Sequence, residues 1–313
     1  MACLSELAYV RFNPMFSGTA DQHLVERVEQ ILSEKRVDKL RRLLRDLAYD
    51  PYAELESLQR GLAVLDCKLE STFDRDGTQA ILVSCSEFIA VAFRGTEATS
   101  LKDIKADLNA ISREARTEGR VHTGFDDGFI AVEGEIQARL DTGEFDSRPL
   151  FITGHSLGGA LATLAAKRLK HNGGIAAGYT FGSPRVGDDK WVAGLKAPVY
   201  RIVNAADCVT MLPPGALTIA FISWLTGRIP WVGARIRLWL KPRFGGYMHG
   251  GDMRYLSNCR PGEYSQVRLL YSVSILYRIK GLILKSLPWK QFVADHSISI
   301  YREKLMTLAR RRN

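Results

Sequence analysis

The six residues GHSLGG at positions 154–159 constrain the fold of this chain more than any other feature. They follow a short apolar run and precede an alanine-rich, helix-favouring stretch, Ala160–Lys170. A serine on a sharp turn between a strand and a helix has strained backbone, so its neighbours must be small. Gly154 and Gly158 provide that room. Strand, G-x-S-x-G and helix in this order predict a nucleophile elbow with Ser156 at its tip.

Short apolar runs predict the strands of a sheet, and several of them alternate with helical segments. The predicted strands are Ala80–Ser84, Phe88–Phe93, Leu150–Thr153, Ile175–Phe181 and Val199–Val203. Helices are predicted at Phe129–Leu140 and Leu157–His171. Strands that alternate with helices form parallel βαβ units. The sequence therefore predicts an α/β fold with a mostly parallel central sheet and helices on both faces.

No linker, repeat or low-complexity tract divides the 313 residues, so we expect one domain. Residues 21–48 place apolar side chains at helical spacing, which predicts a charged amphipathic helix or helix pair on the sheet. Residues 1–61 should form an N-terminal helical segment packed on the sheet, and residues 62–313 the main domain. We expect that domain to carry an insertion at about residues 215–246 and a C-terminal amphipathic region.

The cysteines and the first residues bear on the cellular compartment. Five cysteines are an odd number without paired spacing, which fits reduced thiols better than a disulfide framework. The first residues lack the basic and apolar regions of a secretory signal peptide. We therefore expect an intracellular, cytoplasmic protein. Export by a route that needs no signal peptide stays open as an alternative. No cysteine pair has metal-ligand spacing, and we expect neither a metal nor an organic cofactor.

Charge is distributed unevenly along the chain. Residues 208–313 contain 17 Lys and Arg but only four acids, a net charge of +13, whereas residues 1–207 carry a net charge of −4. A basic half that also contains Trp, Leu and Ile indicates an anionic partner surface. We expect lipid and no nucleic acid, because the basic residues alternate with aliphatic side chains and no nucleic-acid-binding fold is recognisable.

An activated serine needs partners. Its hydroxyl is a poor nucleophile near neutral pH, so it requires a base that an acid in turn orients. On an α/β-hydrolase sheet the acid and then the histidine follow the serine. Asp207, just past a predicted strand, has the expected position, and Asp188 and Asp189 in a turn-rich segment are its rivals. Both His249 and His296 follow Asp207, and sequence order alone leaves both open as the base.

Seven motifs in order make the chain similar to the class 3 lipases, the family of the small fungal triacylglycerol lipases and their bacterial and plant relatives. The motifs are VAFRGTE at 91–97, VHTGF at 121–125, TGHSLGG at 153–159, TFGSPRVG at 180–187, YRIVNAADCVTMLPP at 200–214, YMHGG at 247–251 and DH at 295–296. Each motif is modest on its own, and the specificity comes from their shared order. The resemblance extends over about residues 62–301.

The resemblance implies an α/β-hydrolase fold and hydrolysis of lipid esters through an acyl-enzyme. It implies that Ser156 is the nucleophile, Asp207 the orienting acid and His296 the base, which leaves His249 a structural role. Within this activity, acylglycerol hydrolysis is the first expectation and phospholipase A1-type hydrolysis the alternative. A catalytically silent, membrane-binding scaffold on the same fold is an alternative of another class. The sequence does not indicate an oligomeric state.

The same resemblance implies an oxyanion hole formed by the backbone N–H groups of Thr96 and Leu157, to which the Thr96 hydroxyl could add a donor. In the fungal lipases a helical lid with an apolar inner face follows this strand. Residues 98–108 occupy that position but keep only three large apolar side chains, and the strongly charged residues 113–120 follow. We therefore expect a weaker and more hydrated lid.

Two acid-free segments combine basic, aromatic and aliphatic residues. Residues 229–243 follow an apolar run that is too short to span a bilayer, and residues 267–285 have the same character. This composition predicts helices that lie in a membrane interface, and packing of both segments on the core is the alternative. The predicted docking residues are Trp231, Arg235, Arg237 and Trp239. The predicted partner is an anionic membrane or lipid-droplet surface.

Overall fold

The computed structural model describes most of the chain. The described residues are 1–10, 28–29, 31–33, 37, 50–95, 112–215, 219, 246–260, 262–274, 277–278 and 294–312. Much of the predicted 21–48 helix, the lid at 98–108, and nearly all of the insertion at 215–246 lie outside these residues. The division at residue 61 stays a prediction.

Strands build one large sheet and one small ribbon. The strands are β1 (Lys68–Arg75), β2 (Thr78–Ser84), β3 (Ile89–Phe93), β4 (Ser112–Glu114), β5 (Arg120–His122), β6 (Leu150–His155), β7 (Ile175–Phe181), β8 (Val199–Asn204), β9 (Asp252–Leu256) and β10 (Leu269–Tyr271). Over the described residues, the large sheet has the order β1-β2-β3-β6-β7-β8-β9-β10. Strands β3, β6, β7, β8 and β9 are parallel, and antiparallel strands flank them on both sides.

Helices cover both faces of the sheet. They are α1 (Ala2–Leu7), α2 (Pro51–Ala63), α3 (Thr123–Leu140), α4 (Leu157–Arg168), α5 (Asp189–Ala193) and α6 (Ile298–Arg310). Helices α3 and α4 share one apolar core with the sheet, whereas α1 and α2 share another on the opposite face. Helix α6 packs on that second face, over strands β7, β8 and β9. No helix in the described part of the chain has the length and apolar character needed to cross a membrane.

The continuous apolar run of β3 explains why it lies in the middle of these layers. Successive side chains of a strand point to opposite faces. Val91 and Phe93 belong to the core under α3 and α4, whereas Ala90 and Ala92 belong to the core under α1 and α2. Every residue of β3 is buried. A strand covered on both faces is the structure that an uninterrupted apolar run predicts.

The predicted α/β-hydrolase architecture is confirmed, and one segment is corrected. The five predicted strands form with bounds shifted by at most two residues, and α4 ends at Arg168 rather than His171. The helix predicted over residues 267–285 is wrong at its start, because residues 269–271 pair with β9 as strand β10. The open edge of β9 offers unpaired N–H and C=O groups, and an added antiparallel strand satisfies them.

Close packing of α4 on the sheet yields a stability prediction. A Cβ atom on Gly158 would lie 2.3 Å from the carbonyl oxygen of Phe93, which is backbone and cannot rotate away. We expect Gly158→Ala to lower the free energy of unfolding by about 1–3 kcal/mol through overpacking. Urea unfolding followed by circular dichroism measures the change.

Gly134 provides a matched control for this substitution. It is exposed within α3, and a Cβ atom there would meet nothing within 4 Å. Gly134→Ala should therefore raise the free energy of unfolding by roughly 0.5–1 kcal/mol, since alanine loses less backbone entropy in a helix. Equal effects of the two substitutions would contradict the close contact between α4 and β3.

Candidate active site

Ser156 lies at a sharp turn between β6 and α4. Its backbone has φ 56° and ψ −125°, a conformation that costs a non-glycine residue about 1–3 kcal/mol. A Cβ atom on Gly154 would lie 2.1 Å from the carbonyl oxygen of Gly158, so no larger residue fits between them. The Ser156 N–H donates to the carbonyl oxygen of Phe181 at 2.9 Å, which ties the turn to β7. This is the strained elbow that the motif predicts.

Three side chains form a continuous hydrogen-bonded chain at this turn. His296 Nε2 lies 2.8 Å from Ser156 Oγ. His296 Nδ1 lies 3.0 Å from both carboxylate oxygens of Asp207. The residue exposures are 4% for Ser156, 6% for His296 and 0% for Asp207. In this geometry a neutral His296 donates from Nδ1 to Asp207 and can accept the hydroxyl proton of Ser156 at Nε2.

The carboxylate of Asp207 is held by two further donors. The turn after β8 places Asp207 so that the Val209 N–H donates to Oδ1 at 3.0 Å. The Tyr301 hydroxyl, from α6, donates to Oδ2 at 2.6 Å. Burial, and next the Asp207 carboxylate, raise the pKa of Tyr301 well above its ordinary value, so the phenol keeps the proton that it donates. Hydrogen bonds to a charged acceptor are about twice as strong as neutral ones.

Gly182 provides the space in which the pair of Asp207 and His296 meets. It follows β7 and has φ 60°, in the left-handed region that favours glycine. A Cβ atom there would lie 2.7 Å from Asp207 Oδ2 and 2.9 Å from His296 Nδ1. Any side chain at this position would therefore displace one of the two groups.

His155, the variable residue before the serine in the motif, fixes the backbone of His296. Its Nε2–H donates to the His296 carbonyl oxygen at 2.6 Å, and its Nδ1 accepts the hydroxyl of Tyr9 at 2.7 Å. Burial, and next the proximity of His296, lower the pKa of His155 well below its ordinary value. The ring is therefore neutral, as one donor and one acceptor nitrogen require. Through Tyr9, the segment after α1 reaches the candidate active site.

The rival residues lie in other environments. His249 donates from Nε2 to the carbonyl oxygen of Thr210 at 2.7 Å. Asp188 caps α5 by accepting the Trp191 N–H at 2.9 Å, and Asp189 occupies the first turn of that helix. The structure thus brings His296 and Asp207 to the serine and places the other candidates elsewhere.

Of the remaining predicted site residues, Leu157 lies in the described part of the chain. Leu157 is the first residue of α4, where backbone N–H groups lack partners within the helix. Thr96, its predicted partner in the oxyanion hole, lies outside the described residues. Outside them too are the four predicted docking residues, Trp231, Arg235, Arg237 and Trp239.

Four residues that shape the site are not predicted from the sequence: Tyr9, His155, Gly182 and Tyr301. Two of them lie within recognisable motifs, His155 in GHSLGG and Gly182 in TFGSPRVG. Tyr9 and Tyr301 contact the site over separations of 146 and 94 residues, so no local pattern could have identified them.

The mostly parallel sheet and the serine elbow define an α/β-hydrolase fold. The family model described as Lipase (class 3) matches residues 90–216. The chain is 41% identical over 100 residues to secreted mono- and diacylglycerol lipase 1 of Fusarium solani, which is 30% of each chain. It is 34% identical over 157 residues to a lipase of Rhizomucor miehei, or 45% of this chain and 43% of that one.

The native propeptide complex of Rhizomucor miehei lipase is a similar solved structure. Its TM-score is 0.51 at 27% identity, and the match covers 68% of this chain and 62% of that chain. Over residues 90–216 the chain is similar to the class 3 lipase family. The matched regions cover less than half the length of either curated relative.

The prediction of an intracellular protein is wrong in the light of these relatives. The protein from Fusarium solani is named a secreted lipase. All five cysteines of the present chain are free, but this does not fix the compartment. A domain of this size can gain its stability from an extensive hydrophobic core, whereas small secreted domains without such a core depend on disulfides.

Two buried neutral histidines predict a loss of stability in mild acid. Burial lowers the pKa of His155 and of His249 well below the ordinary value of 6.5. In the unfolded chain both bind a proton as the pH falls through about 6.5, while the folded state stays neutral, so acid favours unfolding. Their contribution is constant above about pH 7.5 and decreases below pH 6.5 by up to about 1.4 kcal/mol per pH unit for each histidine.

Urea unfolding at about pH 7.5, 6.5 and 5.5 measures this slope, in a range where most carboxylates remain charged. His249→Gln keeps a donor for Thr210 and should remove about half of the slope that the two histidines cause. A free energy of unfolding that is constant across these pH values would contradict the assignment of neutral, buried rings.

Proposed function

We propose that the chain is a serine carboxylester hydrolase that acts on lipid esters. Ser156 is the nucleophile, His296 the general base and Asp207 the acid that orients the histidine. The observation that carries this proposal is the hydrogen-bonded chain from Ser156 Oγ through the His296 ring to Asp207, at 2.8 and 3.0 Å, on a strained elbow. Nucleophile, base and orienting acid within hydrogen-bond reach are what acyl transfer by serine requires.

The reaction follows from the positions of the protons. Ser156 Oγ attacks the ester carbonyl carbon while its proton passes to His296 Nε2, and a tetrahedral oxyanion forms. His296 then gives that proton to the leaving alcohol, and the acyl group remains on the serine. A water molecule, deprotonated by the same histidine, releases the fatty acid and restores the hydroxyl.

Stabilisation of the oxyanion is assigned to the backbone N–H groups of Leu157 and Thr96. Helix α4 begins at Leu157, and the amino end of a helix has a partial positive charge. Donors aimed at the developing oxyanion are worth about a hundred- to a thousand-fold in rate each. The assignment of Thr96 rests on the family resemblance alone.

The substrate class rests on the relatives. The Fusarium solani protein is named a mono- and diacylglycerol lipase. We therefore propose acylglycerols as substrates, hydrolysed outside the cell. A preference for phospholipids, as in a phospholipase A1, is the alternative outcome of the assay below.

Release of fatty acid from triacylglycerol, diacylglycerol and phospholipid emulsions tests the proposal. Ser156→Ala should lower the rate by more than about a thousand-fold, because it removes the hydroxyl on which the acyl-enzyme forms. Ser183→Ala is the matched control. Ser183 is also a buried serine, but its hydroxyl donates to the carbonyl oxygen of the adjacent Pro184.

The substrate that reacts fastest identifies the subclass. Activity that survives Ser156→Ala would refute the assigned nucleophile. A folded wild-type protein that binds lipid but hydrolyses none of the three substrates would instead support the silent scaffold.

We further propose that the enzyme works at an anionic lipid surface and docks through the insertion at about residues 215–246, the docking segment. The support is sequence composition, with tryptophan beside arginine and lysine and no acid in the segment. Tryptophan prefers the headgroup region, and each basic residue near an anionic surface contributes about 1 kcal/mol of attraction.

Flotation with vesicles rich in phosphatidylglycerol tests the docking segment. Replacing Trp231, Arg235, Arg237 and Trp239 together should reduce binding by at least tenfold, or about 1.4 kcal/mol. The control replaces Tyr52 and Arg60, an exposed aromatic and an exposed basic residue on α2. Equal binding of the docking variant and the control would refute the docking segment.

A further inference from the structure

Three arginines lie buried beside the turn that contains Asp207. Arg185, Arg201 and Arg278 expose only 8%, 8% and 4% of their surface. Arginine is almost never fully buried without a partner, because its guanidinium stays charged and loses hydration. The mechanism proposed above uses none of the three side chains.

The segment around the short helical turn at Val209–Met211 accepts hydrogen bonds from Arg185 and Arg278, whereas Arg201 Nε donates to the carbonyl oxygen of Gly251 at 3.5 Å. The Arg278 guanidinium donates to Thr210 Oγ1 at 2.6 Å and to the carbonyl oxygen of Asp207 at 2.8 Å. The Arg185 guanidinium donates to the carbonyl oxygens of Met211 and Pro213. These acceptors are neutral, so they do not balance the positive charges.

The positive charges of the three side chains also act on one another. Burial, and next the charges of Arg185 and Arg278, lower the pKa of Arg201 to about 9, although the charge of Asp252 acts in the opposite direction. Burial, and next the charge of Arg278, lower the pKa of Arg185 to about 10. Asp207 attracts Arg278, but its carboxylate oxygens already bind His296 and Tyr301.

Donors of this cluster remain available. Within the described part of the chain, Arg201 Nη1 and Arg278 Nε are buried and have no hydrogen-bond partner. Thr180 Oγ1 is also buried without a hydrogen-bond partner, and Thr180 pairs with Arg201 in the register of β7 and β8. Buried donors without acceptors are costly, so a cluster of them indicates a ligand that accepts hydrogen bonds.

We propose that Arg185, Arg201 and Arg278 form a binding site for a phosphate-type oxyanion. Planar guanidinium groups donate two parallel hydrogen bonds to such an anion, and its negative charge offsets the clustered positive charges. Thr180 Oγ1 supplies a further donor. An inorganic ion and the phosphodiester of a lipid head group share this chemistry.

Thermal unfolding of the full chain in inorganic phosphate tests the site, with ionic strength held constant by sodium chloride. A ligand that binds only the folded state raises the Tm with the logarithm of its concentration above the Kd, by roughly 5 °C at about a hundred times its Kd. Arg201→Gln should abolish this rise. Arg260→Gln, at an exposed position, should retain it. Glycerophosphoglycerol in place of phosphate shows whether the site also takes a head-group phosphodiester.

Two results would overturn the proposal. One is an identical dependence of Tm on phosphate in the wild type and in Arg201→Gln, which would reflect only general salt effects. The other is an Arg201→Gln variant that is more stable than the wild type at every phosphate concentration, since removal of an uncompensated buried charge would produce that gain.

Crystallography keeps the test decisive if Arg201→Gln does not fold. Crystals of the wild type soaked in sodium selenate should show an anomalous selenium peak within hydrogen-bond distance of Arg201 Nη1 and Arg278 Nε. Selenium peaks at surface sites only would overturn the proposal.

Discussion

The carboxylate of Asp207 is wholly buried, and the arrangement of the candidate site depends on the groups that compensate it. Its two oxygens accept hydrogen bonds from His296, Tyr301 and the Val209 N–H. Burying a carboxylate without such donors is prohibitive, so the segments that supply them must converge. The turn after β8 supplies the Val209 N–H, the residues just before α6 supply His296, and α6 itself supplies Tyr301. Together they hold the His296 ring within hydrogen-bond distance of Ser156 Oγ.

Sheet topology explains why these segments can converge. Ser156 follows β6, Gly182 follows β7 and Asp207 lies just past β8, and these three strands are adjacent and parallel. Loops after parallel strands meet at the carboxyl edge of the sheet, which is where ligands bind in open α/β sheets. The second layer of contacts comes from the opposite end of the chain, because Tyr9 donates to His155 and His155 donates to the backbone of His296.

Burial changes the meaning of the basic charge that the sequence displays. Counting charges along the chain treats every arginine and lysine as part of a surface. The structure removes Arg185, Arg201, Arg278 and Lys304 from that surface. Lys304 donates to Asn204 Oδ1 at 2.6 Å, whereas the three arginines donate mainly to backbone carbonyls. Part of the positive charge is thus internal, and a net charge alone cannot distinguish the two populations.

The sequence by itself determined the elbow, the central strands and the α/β architecture. These features depend on residues that are close together in the chain, such as the glycines around Ser156 and the uninterrupted apolar run of β3. Residue order also reduced the acid and the base to a few candidates, and family resemblance favoured Asp207 and His296 among them.

Only the tertiary structure decided which groups meet. His296 contacts Ser156 across 140 residues, and His249, an equal candidate by order, binds Thr210 instead. Strand β10 formed where composition had predicted a helix, because the edge of β9 required a partner. Contacts of this kind depend on packing and on the compensation of buried charge between distant segments, which no local pattern of residues encodes.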